Sequence, residues 1–252
     1  MRAYRVLLVK ELAEQWRTGR LPVVAVIFLI FGLTSPILAK YTPEIVKLAA
    51  SSVAIHVPTP TMKDAVAQLV KNLSQLGALV SILLAMGSVA GEKESGTAAF
   101  IIVKPVSRFA FLAAKFSGLA LTMLCAVAIC GAAAYLYTLL LFAVPPVAGY
   151  IAACLLMLMG LLVIASLTFL GSTLSRSAIP AAALGVVALV VEGIVASVPN
   201  MARYTPSGLD DLANRVALQQ SATDWYWPVV FNGTVVAVTI AASWFVFRRQ
   251  EL

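Results

Sequence analysis

Six long apolar runs, at residues 21–39, 73–91, 116–144, 147–171, 178–199 and 226–247, limit what this chain can fold into more than anything else in it. An α-helix rises 1.5 Å per residue and the hydrocarbon core of a bilayer is ~30 Å thick, so about 20 apolar residues suffice to cross it. The runs are continuous and do not alternate, which excludes a transmembrane barrel. Composition closes the other route. Of the 252 residues 61% are apolar and 12% charged, roughly half the charged share of a soluble domain, and too little to cover one core. The chain is therefore expected to be an all-α integral membrane protein, a single six-helix domain without internal repeats or a separate soluble domain.

Six crossings put both termini on one side. Of the 18 lysines and arginines, twelve fall on that side and six on the other. By the positive-inside rule the twelve face the cytoplasm, in the cell membrane. The net charge of +7 is then a topology signal and calls for no nucleic-acid partner. No cleavable signal peptide is expected, because Glu11 and Glu14 precede the first run and no small-residue cleavage site follows it. Cys125, Cys130 and Cys154 fall inside predicted spans and read as small apolar fillers, with no disulfide or metal assigned.

The flanking segments carry helix signals. Over residues 1–20, Tyr4, Leu8, Leu12 and Trp16 make one stripe, and Lys10, Glu14 and Arg17 occupy the opposite side. Such a helix is expected to lie in the lipid interface, apolar face down. After the first span, Pro43, Pro58 and Pro60 are expected to break the chain into short pieces. Thr61 with Asp64 forms a capping-box pattern, and Val66, Leu69, Val70 and Leu73 continue a helical stripe into the second span. Ser207 with Asp210 is expected to repeat the device before the sixth. Pro145 and Pro146 predict a tight hairpin between spans three and four. Tyr204, Trp225, Tyr226 and Trp227 mark an interface.

Catalytic signatures are missing. The one histidine, His56, lies in a loop, so no pair one turn apart exists to hold a metal. Gly91-x-x-x-x-Gly96-Thr97 has P-loop spacing, but Thr97 stands where the phosphate-binding lysine is required, and Glu92 and Glu94 would repel phosphates. No cofactor is expected and the chain is read as no enzyme. Gly87-x-x-x-Gly91 reads as a close-packing face.

The charged insert between spans two and three needs another explanation. Gly96-Thr97 can turn the chain, residues 98–103 supply a short apolar helix, Lys104-Pro105 ends it, and Ser107 can cap the next helix. Such a helix either lies in the lipid interface or docks into a groove of a soluble partner. The stretch "GEKESGTAAFIIVKPVSRFAFLAAKF" resembles the segment after the second span in permease subunits of type-2 ATP-binding-cassette (ABC) exporters. There an acidic turn, a Gly-Thr, a short helix, a proline, a Ser-Arg and a lysine at the start of the third span recur, here Glu92 and Glu94, Gly96-Thr97, 98–103, Pro105, Ser107-Arg108 and Lys115. "LLVKELAEQWRTGR" is similar to the amphipathic entry helix of that family. The resemblance implies a permease dimer, of two identical or related copies, clamped by two cytoplasmic cassette ATPase subunits. Residues 92–108 would be the coupling segment, with Phe100 and Ile101 as anchors and Lys104 and Arg108 among the charges that set register. A self-contained secondary carrier is the alternative, with Glu192, expected about 10 Å deep in the fifth span, as its proton or cation site. A membrane enzyme or scaffold is a third.

Overall fold

Local capping residues decide where each apolar run becomes a helix. The computed structural model describes residues 2–49, 59–96 and 107–250. α1 (Arg2–Arg17) is followed by Gly19, whose left-handed φ of +75° favours glycine, and the chain turns into α2 (Arg20–Ala49). Thr61 then opens α3 (Met62–Asn72) with a full capping box, its N–H donating to the Asp64 carboxylate at 2.7 Å. A π-helical turn (Leu73–Gly77) leads into α4 (Ala78–Met86), and a break at 87–89 precedes α5 (Ala90–Glu94). Ser107 opens α6 (Arg108–Leu141), its hydroxyl accepting from the Ala110 N–H at 3.2 Å. α7 (Val147–Leu174), α8 (Ala178–Ala196), α9 (Pro206–Ala217) and α10 (Tyr226–Arg249) follow. The described residues contain no strand.

Among the described residues, six segments are long and apolar enough to span a membrane: Arg20–Val46, Met62–Glu94, Arg108–Leu141, Val147–Leu174, Ala178–Ala196 and Tyr226–Arg249. α7 is the hub and packs on α4, α6, α8, α9 and α10, while α6 carries α1 and α2. Phe28, Leu73, Met123, Leu161 and Phe169 are fully buried between them. Lipid tails offer apolar side chains the same contact, so close approach and polar links fix the helices against one another. Gly32 of α2 crosses α6 so tightly that a Cβ would collide with the Cys130 carbonyl oxygen. The Thr239 hydroxyl donates to Ser166 at 2.9 Å between α10 and α7, and the Asn72 amide donates to Ser35 at 2.8 Å between α3 and α2.

Several expectations hold. The capping box at Thr61 forms, the stripe Val66, Leu69, Val70 and Leu73 is buried, and Ser107 caps the third span. The cysteines are free and lie in spanning helices. Others need correction. Pro43 does not break the chain: α2 runs through Pro36 and Pro43 to Ala49. Thr34, Ser35 and Thr42 donate to the carbonyls of Ile30, Phe31 and Leu38, giving the turns beside the prolines side-chain hydrogen bonds. The third span begins at Arg108, a full two turns before Phe116, because Lys115 is buried and does not end the helix. Among the described residues no atom lies within 4 Å of where a Cβ at Gly87 or Gly91 would stand, so neither makes a close helix contact there; Gly87 marks the break. Thr205, followed by Pro206, takes the N-cap position of α9 in place of Ser207, with its hydroxyl donating to the Ala202 carbonyl and not bonded to the helix. Pro58 and His56 lie outside the described residues.

Candidate functional site

At the end of the bundle that carries both termini, charged side chains converge on the two flanks of segment 97–106. α1 lies along the start of α6 and meets it through polar residues spaced on one face. The Tyr4 hydroxyl donates to Ser117 Oγ at 2.9 Å, Glu11 accepts from Lys115 Nζ at 3.1 Å, and the Gln15 side-chain oxygen accepts from the Thr122 hydroxyl. Gly118 makes the approach possible, since a Cβ there would stand 2.8 Å from the Glu11 Cγ. Lys115 is only 4% exposed and also pairs with Glu92 of α5 at 2.8 Å. One ammonium thus ties α1, the end of the second span and the start of the third. Two carboxylates and one lysine leave an excess negative charge, and Arg20 lines the same small cavity as Glu11 and Lys115.

The neighbouring cations cap helix ends, where carbonyls lack partners and the helix dipole favours positive charge. Lys93 Nζ donates to the Thr173 and Ser175 carbonyls at the end of α7 and to the Gln250 side chain at 2.7 Å. Arg108 Nη1 donates to the carbonyls of Phe247, Arg248 and Gln250 at 3.2, 2.8 and 3.0 Å, closing the end of α10. Ser172 staples the break in the second span: its hydroxyl accepts from the Val89 and Ala90 N–H groups at 3.1 and 2.9 Å and donates to the Met86 carbonyl at 2.7 Å.

The expected site residues divide accordingly. Glu92 and Arg108 are brought inward and engage their own chain, while Glu94 and Gly96 are exposed and Gly96 has a left-handed φ of +70°. Thr97, Phe100, Ile101, Lys104 and Pro105 lie outside the described residues. On α1, Leu8 and Leu12 are half-buried and Trp16 is 65% exposed. The buried polar face is formed by Glu11 and Gln15, which the apolar stripe did not point to. Glu192 is four residues from the end of α8, shallower than expected, and accepts from Ser207. The carboxylates of Glu11, Glu14 and Glu92 lie within 4.8 Å of one another, a spacing a metal ion could use. Lys115 already sits on two of them, so the cation this donor set holds is an ammonium.

Far from this cluster, an apolar cleft of about 470 Å³ opens between α6 and α7, with Tyr135, Tyr150 and Cys154 in its wall. Comparison with known sequences agrees with a multi-pass membrane protein. The sequence model of one family, described as "Protein of unknown function (DUF2705)", matches residues 23–252. The chain belongs to that family. It is also similar to the uncharacterized transmembrane protein YxlG of Bacillus subtilis (strain 168), with 27% identity over 256 residues covering 100% of this chain and 99% of the relative. The DUF2705 match includes both Glu92 and Lys115 but starts after α1, so Glu11 joins the ion-pair cluster from outside the matched region.

Proposed function

We propose that this chain is the membrane-spanning permease subunit of an ATP-driven exporter of the type-2 ABC class. It would work as a pair and be driven by separate cytoplasmic ATPase subunits that engage residues 92–108. The observation that supports this reading most is the anchoring of both flanks of segment 97–106. Glu92 and Lys93 on one side and Arg108 and Lys115 on the other are bonded to α1, to the ends of α7 and α10, and to each other. A force applied to such a segment is passed at once to the second, third, fourth and sixth spans, which is what a coupling element has to do. On this reading the end with the termini, richer in lysine and arginine, faces the cytoplasm. The carrier alternative loses ground, because Glu192 lies near the end of α8 and is held by Ser207.

The test is a search of the genes beside this one for a cassette ATPase, followed by co-purification of that subunit with this chain in detergent. Burying each anchor is worth about 1.5–3 kcal/mol, so Phe100→Asp with Ile101→Asp is expected to lower affinity by several orders of magnitude. The chain alone is expected to hydrolyse no ATP. A folded double variant that still captures the ATPase with unchanged affinity would overturn the coupling role and leave the segment to the lipid interface.

A further inference from the structure

At the end of the bundle opposite the termini, α9 closes over the second, fourth and fifth spans, and two carboxylates meet in the seam. Glu192 of α8 accepts from the N–H and the hydroxyl of Ser207, in the first turn of α9, at 3.2 and 2.6 Å. Asp210, one turn further along α9, accepts from the Ser74 hydroxyl at 2.6 Å. Ser74 belongs to the π-helical turn of the second span, a geometry that turns side chains out of ordinary helical register and is frequent at functional sites. Both carboxylates line one cavity of about 20 Å³, room for roughly a single water. Its other walls include Ala78, Met157, Leu161 and Leu189.

Among the described residues no cation closes this pair. α3 carries Lys63, Asp64 and Lys71, all exposed. Arg203 lies over the Tyr204 ring at 4.8 Å, and Arg215 is bound to Asp211 at 2.8 Å. α7 and the π-helical turn contain no charged residue, α8 offers only Glu192, and α10 has Arg248 and Arg249 at its far end, with Asp224 exposed before it. Burial pushes the Asp210 carboxyl up to about 6, the Ser74 hydrogen bond works against that, and the Glu192 charge adds to it.

We propose that this seam is a proton-operated latch: α9 seats on the second and fifth spans when Asp210 is protonated, and ionisation of Asp210 beside Glu192 loosens the seat. The seated carboxyl holds its proton more tightly than a free one, whose value is 3.8. Seating is therefore strongest below about pH 4, weakens as the pH rises to about 6, and changes no further above that. The separation corresponds to a change of up to about a hundredfold in the seating equilibrium. α9 thereby reads the acidity of the solution on its side of the membrane.

Hydrogen exchange on the full chain in lipid nanodiscs tests this, with rates at pH 4, 5, 6 and 7 corrected for intrinsic exchange. Amide protection in α9 is expected to fall by up to about a hundredfold between pH 4 and 6. It should stay flat in Asp210→Asn, which keeps an acceptor for Ser74 but cannot ionise. Ser74→Ala removes the bond that stabilises the ionised form, so the upper end of its window should move to higher pH while the lower end stays near pH 4. That second variant decides the matter if Asp210→Asn does not fold. Protection in the parent chain that is constant from pH 4 to 7, an equal fall in Asp210→Asn, or a Ser74→Ala window whose upper end does not rise would each overturn the latch.

Discussion

Replacing Lys115 by methionine tests the ion-pair cluster where its energetics are most lopsided. Methionine keeps the length of the side chain, so the change removes an ammonium without opening a large void. Glu11 and Glu92 then face each other with side chains only 12% and 13% exposed. Breaking a buried ion pair by deleting one partner costs about 3–5 kcal/mol, because a charge is left uncompensated. Here two are left, although their slight exposure lets water soften the cost. Glu92→Gln is a different case: Lys115 keeps Glu11 at 3.1 Å, and the loss is about 1 kcal/mol, the net worth of one hydrogen bond. The triple change Glu11→Gln, Glu92→Gln, Lys115→Met buries no charge and is expected to recover most of the loss, as buried ion clusters replaced by neutral groups do. In a chain of this size 1 kcal/mol moves the melting temperature by about 2–4 °C. Melting in detergent, followed by tryptophan fluorescence, should then drop by roughly 6–20 °C for Lys115→Met and by only a few degrees for Glu92→Gln. If Lys115→Met melts no lower than Glu92→Gln, or the triple variant melts as low as Lys115→Met, the three residues do not act as a charge-balanced unit.

Two further substitutions probe the surroundings of that cluster. Ser172→Ala strips the break in the second span of one acceptor shared by two N–H groups and of one donor; an expected cost of about 1–3 kcal/mol should appear as lower melting and as faster exchange of the Val89 and Ala90 amides, and unchanged exchange there would refute the staple. Gly118→Val pushes a branched side chain into the Glu11 Cγ, already 2.8 Å from a Cβ; α1 should detach and its Arg17 site should become open to trypsin while the spans stay folded, whereas full protection at Arg17 would show that α1 is held elsewhere.

The number of spans and the helical class were legible because a bilayer enforces them. Every backbone polar group in hydrocarbon must be bonded within its own helix, so run length alone carries the count. Capping residues were legible for the same local reason, and Thr61 and Ser107 act where their spacing placed them. The errors came from rules that hold in water. Pro43 would end a helix in a soluble loop, yet hydroxyls in the adjoining turns support α2 through both prolines. Lys115 looked like the edge of an apolar run, because an unpaired lysine could not be buried; its two partners lie 104 and 23 positions away in sequence, and only the fold brings them in. Ser207 and Asp210 have the spacing of a cap, but their side chains are taken by Glu192 and Ser74 from other helices.

The mislaid face of α1 follows from the same physics. Tyr4, Leu8, Leu12 and Trp16 form the apolar stripe, and in a soluble protein that stripe would seek the core. Lipid competes for apolar side chains on nearly equal terms, so if α1 lies in the interface, as its sequence leads one to expect, burying Trp16 against the third span gains little over leaving it to lipid. Polar side chains have no such substitute in hydrocarbon. Glu11 and Gln15 therefore turn toward Lys115 and Thr122, and Gly118 between those two removes the obstacle to contact. Trp16, 65% exposed, is left on the outside. A buried lysine one residue before a predicted span and a glycine three residues after it were the available signs of such a contact. Which of Glu11, Glu14, Glu92 and Glu94 would answer the lysine was a tertiary choice. The fold made it by setting the registers of α1 and α5 against α6.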